Sequence, residues 1–347
     1  MVENKYGVTR GDPVADRERV LDLWARCGFG SGEQASERYD WFYLHNPRGQ
    51  GRVYLLWQAD ELVGALGAGS RQFVCATGEP PLDAAILVDY VVHPAHRSMF
   101  PALQLQRFAR EQELLAADMV YGLPDVKAAP VFRRLGASVE FDSGSYVRVL
   151  RSFEYASRLF PRVPPSLVRV VCWFADRARL AVVAATCRAR GVSARWHRGF
   201  PESIETLWAR TAAQPDLAIG ERDRQFLEWR FGSSRDEWQV LTVTQRNNAQ
   251  AYFVCRREGN ELQVFDLLVD RRDAAAMPLL ALSRAAWALE VRSVRIVFGG
   301  FRSVQIALGR AGFKLRDQRP CFLMQKSAGV KRRLPAGWWL TRADEDV

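Results

Sequence analysis

The chain has 347 residues, about two domains' worth at ~150 residues each, and 48% of them are hydrophobic, which excludes a disordered or fibrous protein. Charged residues make up 25%, no run approaches the ~18–20 uncharged apolar residues of a membrane span, and the N-terminus lacks the charged-then-apolar pattern of a leader. The expected compartment is therefore the cytoplasm. The 49 Lys+Arg against 39 Asp+Glu give +10, a balance suited to polyanionic partners from nucleotides to anionic lipid, although only five of the basic residues are lysines. Six scattered cysteines without a Cys-x-x-Cys, and a single close histidine pair, His93 and His96, support neither a metal site nor a disulfide framework.

In chain order, the first distinctive segment is YDWFYLHNP, a cluster of aromatic and polar residues that includes Trp41, Tyr43, His45 and Asn46. Strand-like runs follow at Arg52–Gln58, Glu61–Ala68 and Ala84–Val92, the first two joined by the polar turn Ala59-Asp60. After a turn containing Pro94, a helix puts Leu105, Phe108, Ala109 and Ala116 on one face; a short strand and a short helix ending at Gly136 come next. Residues 151–199 read differently, beginning with PRVPP and continuing as a helical pattern interrupted by Arg169, Asp176, Arg177 and Arg179. Burying those charges in a bilayer at ~2.5–3.5 kcal/mol each excludes a span, leaving a packed helical linker or a basic helix lying on a membrane surface. A second series then repeats the order, with strands in EWQVLTVT, AQAYFVCRR and LQVFDLLV and a helix whose Leu282, Ala285, Ala286 and Leu289 share a face. The closing KRRLPAGWWLTRADEDV joins a basic cluster, two tryptophans and an acidic end, and at least one of Trp338 and Trp339 is expected to dock on a domain or on a partner.

The two series align. Asp89 meets Asp266, Pro101 meets Pro278, Leu103, Leu105 and Arg107 fall on Leu280, Leu282 and Arg284, and Gly122 falls on Gly299. Upstream, the Trp41 segment has a looser counterpart in FLEWRF around Trp229. A repeat this long exceeds a solenoid unit and implies two copies of one domain. The expected architecture is α+β: residues 1–150, a helical linker 151–199, a degenerate copy 200–326 and a tail 327–347, each copy a mixed, largely antiparallel sheet flanked by helices.

Three segments, VVHPAHRSMFPA, MVYGLPDVKAAPVFRRLGA and YDWFYLHNPRG, resemble the GNAT superfamily of N-acyltransferases, and the duplication looks like a tandem GNAT protein of the kind found in bacterial exopolysaccharide or envelope gene sets. The resemblance implies acetyl-CoA or another acyl-CoA, with Val91 and Val92 along its pantetheine arm. Its pyrophosphate would lie at a helix N-terminus formed by Arg97, Ser98, Met99, Phe100 and Ala102, where backbone amides and the helix dipole favour an anion. Phe100 replaces a family glycine, Asp125 stands at a family Asn, and Phe132 replaces the family's tyrosine acid. The second copy offers DRRDAAAMP, without glycine and with Asp273, read as an N-cap, so one cofactor site per chain is expected, in the first copy.

Acyl transfer to an amine needs a proton acceptor, a donor for the developing oxyanion and a proton for the departing thiolate. Asp89, at the end of its strand, is the expected base, with Tyr90 behind it and Tyr121 able to supply the proton. Trp41, Tyr43, His45 and Asn46 would hold the acceptor, a small-molecule or glycan-precursor amine such as an amino sugar. Two other readings remain: a catalytically silent GNAT-fold binding or scaffold protein, and a Fem-like transferase using aminoacyl-tRNA. DNA is not an expected partner and tRNA is disfavoured, because the chain lacks a long helical insertion and a Lys-rich surface. Peripheral membrane contact stays open, and the sequence sets no oligomeric state.

Overall fold

The computed structural model describes residues 6–75, 80–124, 128–232, 237–325 and 337–345. In the first half, β1 (Gly7–Gly11), α1 (Arg17–Cys27) and α2 (Gly32–Tyr39) precede the meander β2 (Arg52–Gln58), β3 (Glu61–Val74) and β4 (Leu82–Val92). Then come α3 (Met99–Ala116), β5 (Met119–Gly122), α4 (Ala129–Arg134) and β6 (Ser138–Val149). Two helices, α5 (Phe153–Leu159) and α6 (Pro165–Ala189), lead to β7 (Val192–His197), α7 (Ser203–Ala212), β8 (Leu217–Gly220) and α8 (Arg224–Phe231). The second half then repeats the order as β9 (Gln239–Gln245), β10 (Asn248–Glu258), β11 (Glu261–Val269), α9 (Ala276–Ala288), β12 (Ser293–Gly300), α10 (Arg302–Arg310) and β13 (Lys314–Gln325). A last strand, β14 (Gly337–Thr341), closes the chain.

These strands form one mixed sheet rather than two. Its order is β1-β2-β3-β4-β5-β13-β6-β12-β11-β10-β9-β7. β13 lies between β5 and β6, with Phe322 opposite Gly122, while β6 lies between β13 and β12, with Val149 opposite Ser293. Each half is thus completed by the last strand of the other, which leaves neither with an open inner edge. No break in the sheet falls at residue 150 or 200. The stretch 151–199 is helical only as far as Ala189, since β7 pairs with β9 as the far edge of the sheet.

A local two-fold relation appears at a further contact between the halves. Trp41 and Trp229 stack with centroids 4.7 Å apart at 14°. Each indole N–H donates to the other's backbone carbonyl, at 2.8 Å from Trp41 and 3.1 Å from Trp229. The repeat aligned these two residues, and the fold places them face to face.

The closing segment is structural. Trp338 and Trp339 are both buried, and β14 pairs with β8 and β12. Behind it Arg222, fully buried, bonds Asp266 at 3.0 Å and Asp344 at 2.6 Å. Thr341 adds a hydroxyl donated to Asp266 at 2.7 Å. A buried guanidinium shared by two carboxylates is satisfied only when the C-terminal segment is in place, which ties that segment to the core.

Candidate active site

The parallel pair β4/β5 is bonded only over Ala84–Ile86 and Met119–Tyr121. Beyond Ile86 the two strands diverge, and the gap opens into a cavity of about 780 Å³. Its walls are the second half of β4, the N-terminus of α3, Phe132 of α4 and the Gly28-Phe29 turn after α1. β4 carries a bulge on this wall: Gly67 faces Val88 and Ala65 faces Val91, so Asp89 and Tyr90 together oppose Leu66. A bulge takes backbone groups out of the ladder and redirects them, here beside the cavity. Asp89 adopts φ +50°, a left-handed conformation that non-glycine residues rarely hold without support.

That support is visible. Arg38 donates to Asp89 Oδ1 at 2.6 Å and the buried Tyr43 hydroxyl donates to Oδ2 at 2.8 Å. Both oxygens of the expected base are therefore engaged, and the side chain braces the bulge at the edge of the cavity. Tyr90 also borders the cavity, and burial pushes its phenol up to about 12. Tyr121 does not border it: its hydroxyl, buried on the opposite side, donates to the Asp344 carbonyl at 3.0 Å. Tyr121 is thus an anchor for the C-terminal segment and not an acid at this site.

Of the residues expected around the cofactor, Val91, Val92, Arg97, Ser98, Met99 and Ala102 line the cavity. Phe100 does not; its side chain is 58% exposed and leans towards Tyr6, so it leaves the mouth open despite replacing a glycine. Asp125 lies outside the described residues. Arg97 is held by its Nε, which donates to the Val92 carbonyl at 2.9 Å. Ser98 occupies the N-cap of α3 without spending its side chain on the cap.

The expected acceptor cluster disperses. Trp41 is at the contact between the halves, Tyr43 is buried under β3 against Asp89, His45 is exposed, and Asn46 is buried with its Oδ1 accepting from the Arg48 amide. None of the four lines the cavity. Aromatic and amide side chains recommended them as sugar binders, but the same types fill cores and close turns.

Two residues were not anticipated. Glu345 reaches the cavity from the far end of the chain, almost wholly buried, with both carboxylate oxygens 2.9 Å from Arg319 Nη2. Arg230 holds the preceding turn by donating to the carbonyls of Ala343 and Arg342. Gln106, two turns into α3 and 1% exposed, also lines the cavity, and its Oε1 has no hydrogen-bond partner. The acidic end of the sequence was the one available signal for Glu345; Gln106 reads as an ordinary helix residue.

Among the described residues the second half has no matching gap. β11 and β12 pair in parallel over Glu261–Val264 and Ser293–Ile296, and beyond that point β14 bonds β12 from Phe298 to Gly300. Trp339 fills the space and donates its indole N–H to the Leu267 carbonyl at 3.0 Å. Asp273 is not an N-cap: it sits in a short 3-10 turn before α9, paired with Arg271 at 3.0 Å.

The sequence matches no protein-family model and no curated protein. Solved structures share the fold. A probable N-acyltransferase from Enterococcus faecalis superposes with TM-score 0.62 at 12% identity, over 92% of this chain and 72% of that one. A GCN5-related N-acetyltransferase from Anabaena variabilis gives 0.60 at 11%, over 92% and 72%. A tandem GNAT protein of the clavulanic acid pathway gives 0.52 at 17%, over 92% and 98% of the two chains. The fold is that of the GNAT N-acetyltransferases, and one of the neighbours carries it in tandem.

Proposed function

We propose that the chain is an acyl-CoA-dependent N-acyltransferase with one active site, built in its first half and completed by its C-terminus. The observation that carries this reading is the cavity at the β4/β5 divergence, bordered by the Asp89 bulge on one side and the start of α3 on the other. Acyl-CoA fits the residues present. The orphaned Gln106 Oε1 would gain a partner from an amide N–H of the pantetheine arm, and Arg97 with the first amides of α3 suits a pyrophosphate.

When bound, acyl-CoA supplies an activated thioester carbonyl. The protein's own share is positioning and proton handling. The bulge offers backbone donors beside the cavity, and Asp89, Arg38 and Tyr43 keep it in shape. Glu345 borders the cavity with its two oxygens sharing one donor, Arg319 Nη2, where Asp89 is held by two separate donors, and it is the carboxylate assigned here to take the proton of an incoming amine. Tyr90, with its raised pKa, stays protonated at neutral pH and is suited to hydrogen-bond the sulfur as it departs. The acceptor in this reading is an amine on a small molecule or glycan precursor.

The test is thiol release from acetyl-CoA across a panel of amines, with Glu345→Gln beside the wild type. Loss of the base should cost ~10²–10⁴-fold in turnover with coenzyme A affinity unchanged. Wild-type turnover in the variant would remove Glu345 from the role, and absence of any thermal stabilisation by acyl-CoA would remove the whole reading.

A further inference from the structure

α6 has two apolar faces, and only one is used. Val168, Cys172, Val183 and Cys187 are buried. On the other side Leu167, Val170, Val171, Phe174 and Val182 lie 55%, 51%, 59%, 63% and 67% exposed, at spacings of three, four and seven that form one stripe. Trp173 flanks the stripe at 50% exposure, and α5 together with the turn after it adds Leu159 and Phe160 at 74% and 58%. A contiguous apolar surface of this kind marks an interaction site.

Charge selects the occupant. Residues 151–190 contain eight arginines and two acids. Neither acid faces outward unengaged: Asp176 is buried and accepts from the Ser152 amide and hydroxyl at 2.8 and 2.9 Å, and Glu154 is paired with Arg292 at 2.6 Å. Beside the stripe is a cleft of about 440 Å³ bordered by Arg151, Arg169, Arg177 and Arg292, four cations against those same two engaged acids, which also line it. Three of these guanidiniums rest on rings: Arg151 on Trp287 at 4.3 Å, Arg169 on Phe153 at 4.9 Å and Arg177 on Trp173 at 4.4 Å. A second copy of the chain would set this arginine-rich surface against itself, so like charges oppose that contact. No described helix is long and apolar enough to cross a membrane, and α6 carries its charges where an in-plane helix carries them.

We propose that the α5–α6 face is a peripheral docking surface for an anionic phospholipid bilayer. The stripe enters the boundary between headgroups and acyl chains, and the arginine cleft receives lipid phosphates. Docking of this kind would bring the enzyme to an acceptor presented at the membrane, but it stands independently of the transferase reading.

The test is co-sedimentation of the full chain with vesicles of phosphatidylcholine alone and of phosphatidylcholine mixed with phosphatidylglycerol. Binding is expected to the mixed vesicles only, weakening as salt rises. Phe174→Glu with Val170→Glu should lower partitioning about tenfold or more. Arg169→Gln with Arg177→Gln should lower it about fivefold per charge, whereas the exposed Arg107→Gln on α3 should leave it unchanged. Thermal unfolding of each variant checks that the fold persists. Absence of binding to the mixed vesicles, equal binding to both kinds, or a concentration-dependent dimer abolished by Phe174→Glu would each overturn the proposal.

Discussion

Coenzyme A should bind once per chain, and Arg97→Ala should weaken it while Arg272→Ala does not. Arg97 stands at the mouth of the cavity with Nε fixed on the Val92 carbonyl at 2.9 Å, so its remaining nitrogens are already oriented, and it forms no ion pair with a described residue. A charge-assisted hydrogen bond contributes ~1–3 kcal/mol. Solvent at the open mouth confines the effect to about 1–2 kcal/mol, or roughly 5- to 30-fold in Kd. Arg272, in the corresponding turn of the repeat, is stacked on Phe301 at 4.1 Å and donates to the Pro215 carbonyl at 3.3 Å. With β14 filling the neighbouring gap there is no anion for it to serve, and its removal should change Kd less than about twofold. Calorimetry with coenzyme A on the two variants and the wild type decides the matter. Two sites per chain, or a larger loss from Arg272 than from Arg97, would refute the reasoning.

Asp89→Asn keeps a residue that tolerates a left-handed backbone but removes the charge facing Arg38; urea unfolding should show a loss of about 1–3 kcal/mol, while unchanged stability with a hundredfold fall in turnover would return the base to this position. Gly67→Ala would drive a methyl group into the Tyr43 hydroxyl and Val88, destabilising by about 1–3 kcal/mol in the same assay and disturbing the bulge that Tyr43 supports. Trp41→Ala and Trp229→Ala each break the shared stack and remove one of the two indole hydrogen bonds. Their effects should be clearly non-additive in a double-mutant cycle; additive losses would mean that the two rings do not stabilise each other. At high pH the sign follows from Tyr90: its folded pKa of about 12 lies above the unfolded value of 10, so its contribution is complete below pH 10 and lost between pH 10 and 12. Burial raises Tyr39, Tyr54 and Tyr121 as well, so Tm should hold level to about pH 9.5 and then fall; a flat profile to pH 12 would contradict their burial.

Much of the site's frame was legible because it is local. The alternation in Ala84–Val92, the proline turn and the amphipathic α3 come from neighbouring residues, so the strand and helix that border the cavity could be placed before any contact was known. Asp89 was recognisable as special, yet its role was not, because a carboxylate at a strand end looks the same whether it is free or held by Arg38 and Tyr43. The one-site expectation rested on the acidic, glycine-free turn near Asp273, whereas the structure closes the second gap with Trp339.

What the sequence determined alone was the repeat and the order of elements within each copy, both consequences of short-range pattern and turn chemistry. Tertiary structure decided the rest: the exchange of β6 and β13, the stacking of Trp41 on Trp229, the burial of β14 and the arrival of Glu345 at the cavity. The physical reason is that strand pairing is available to any exposed edge. Which edge takes a given strand depends on how the whole sheet closes and which buried charges, such as Arg222, are satisfied when it does.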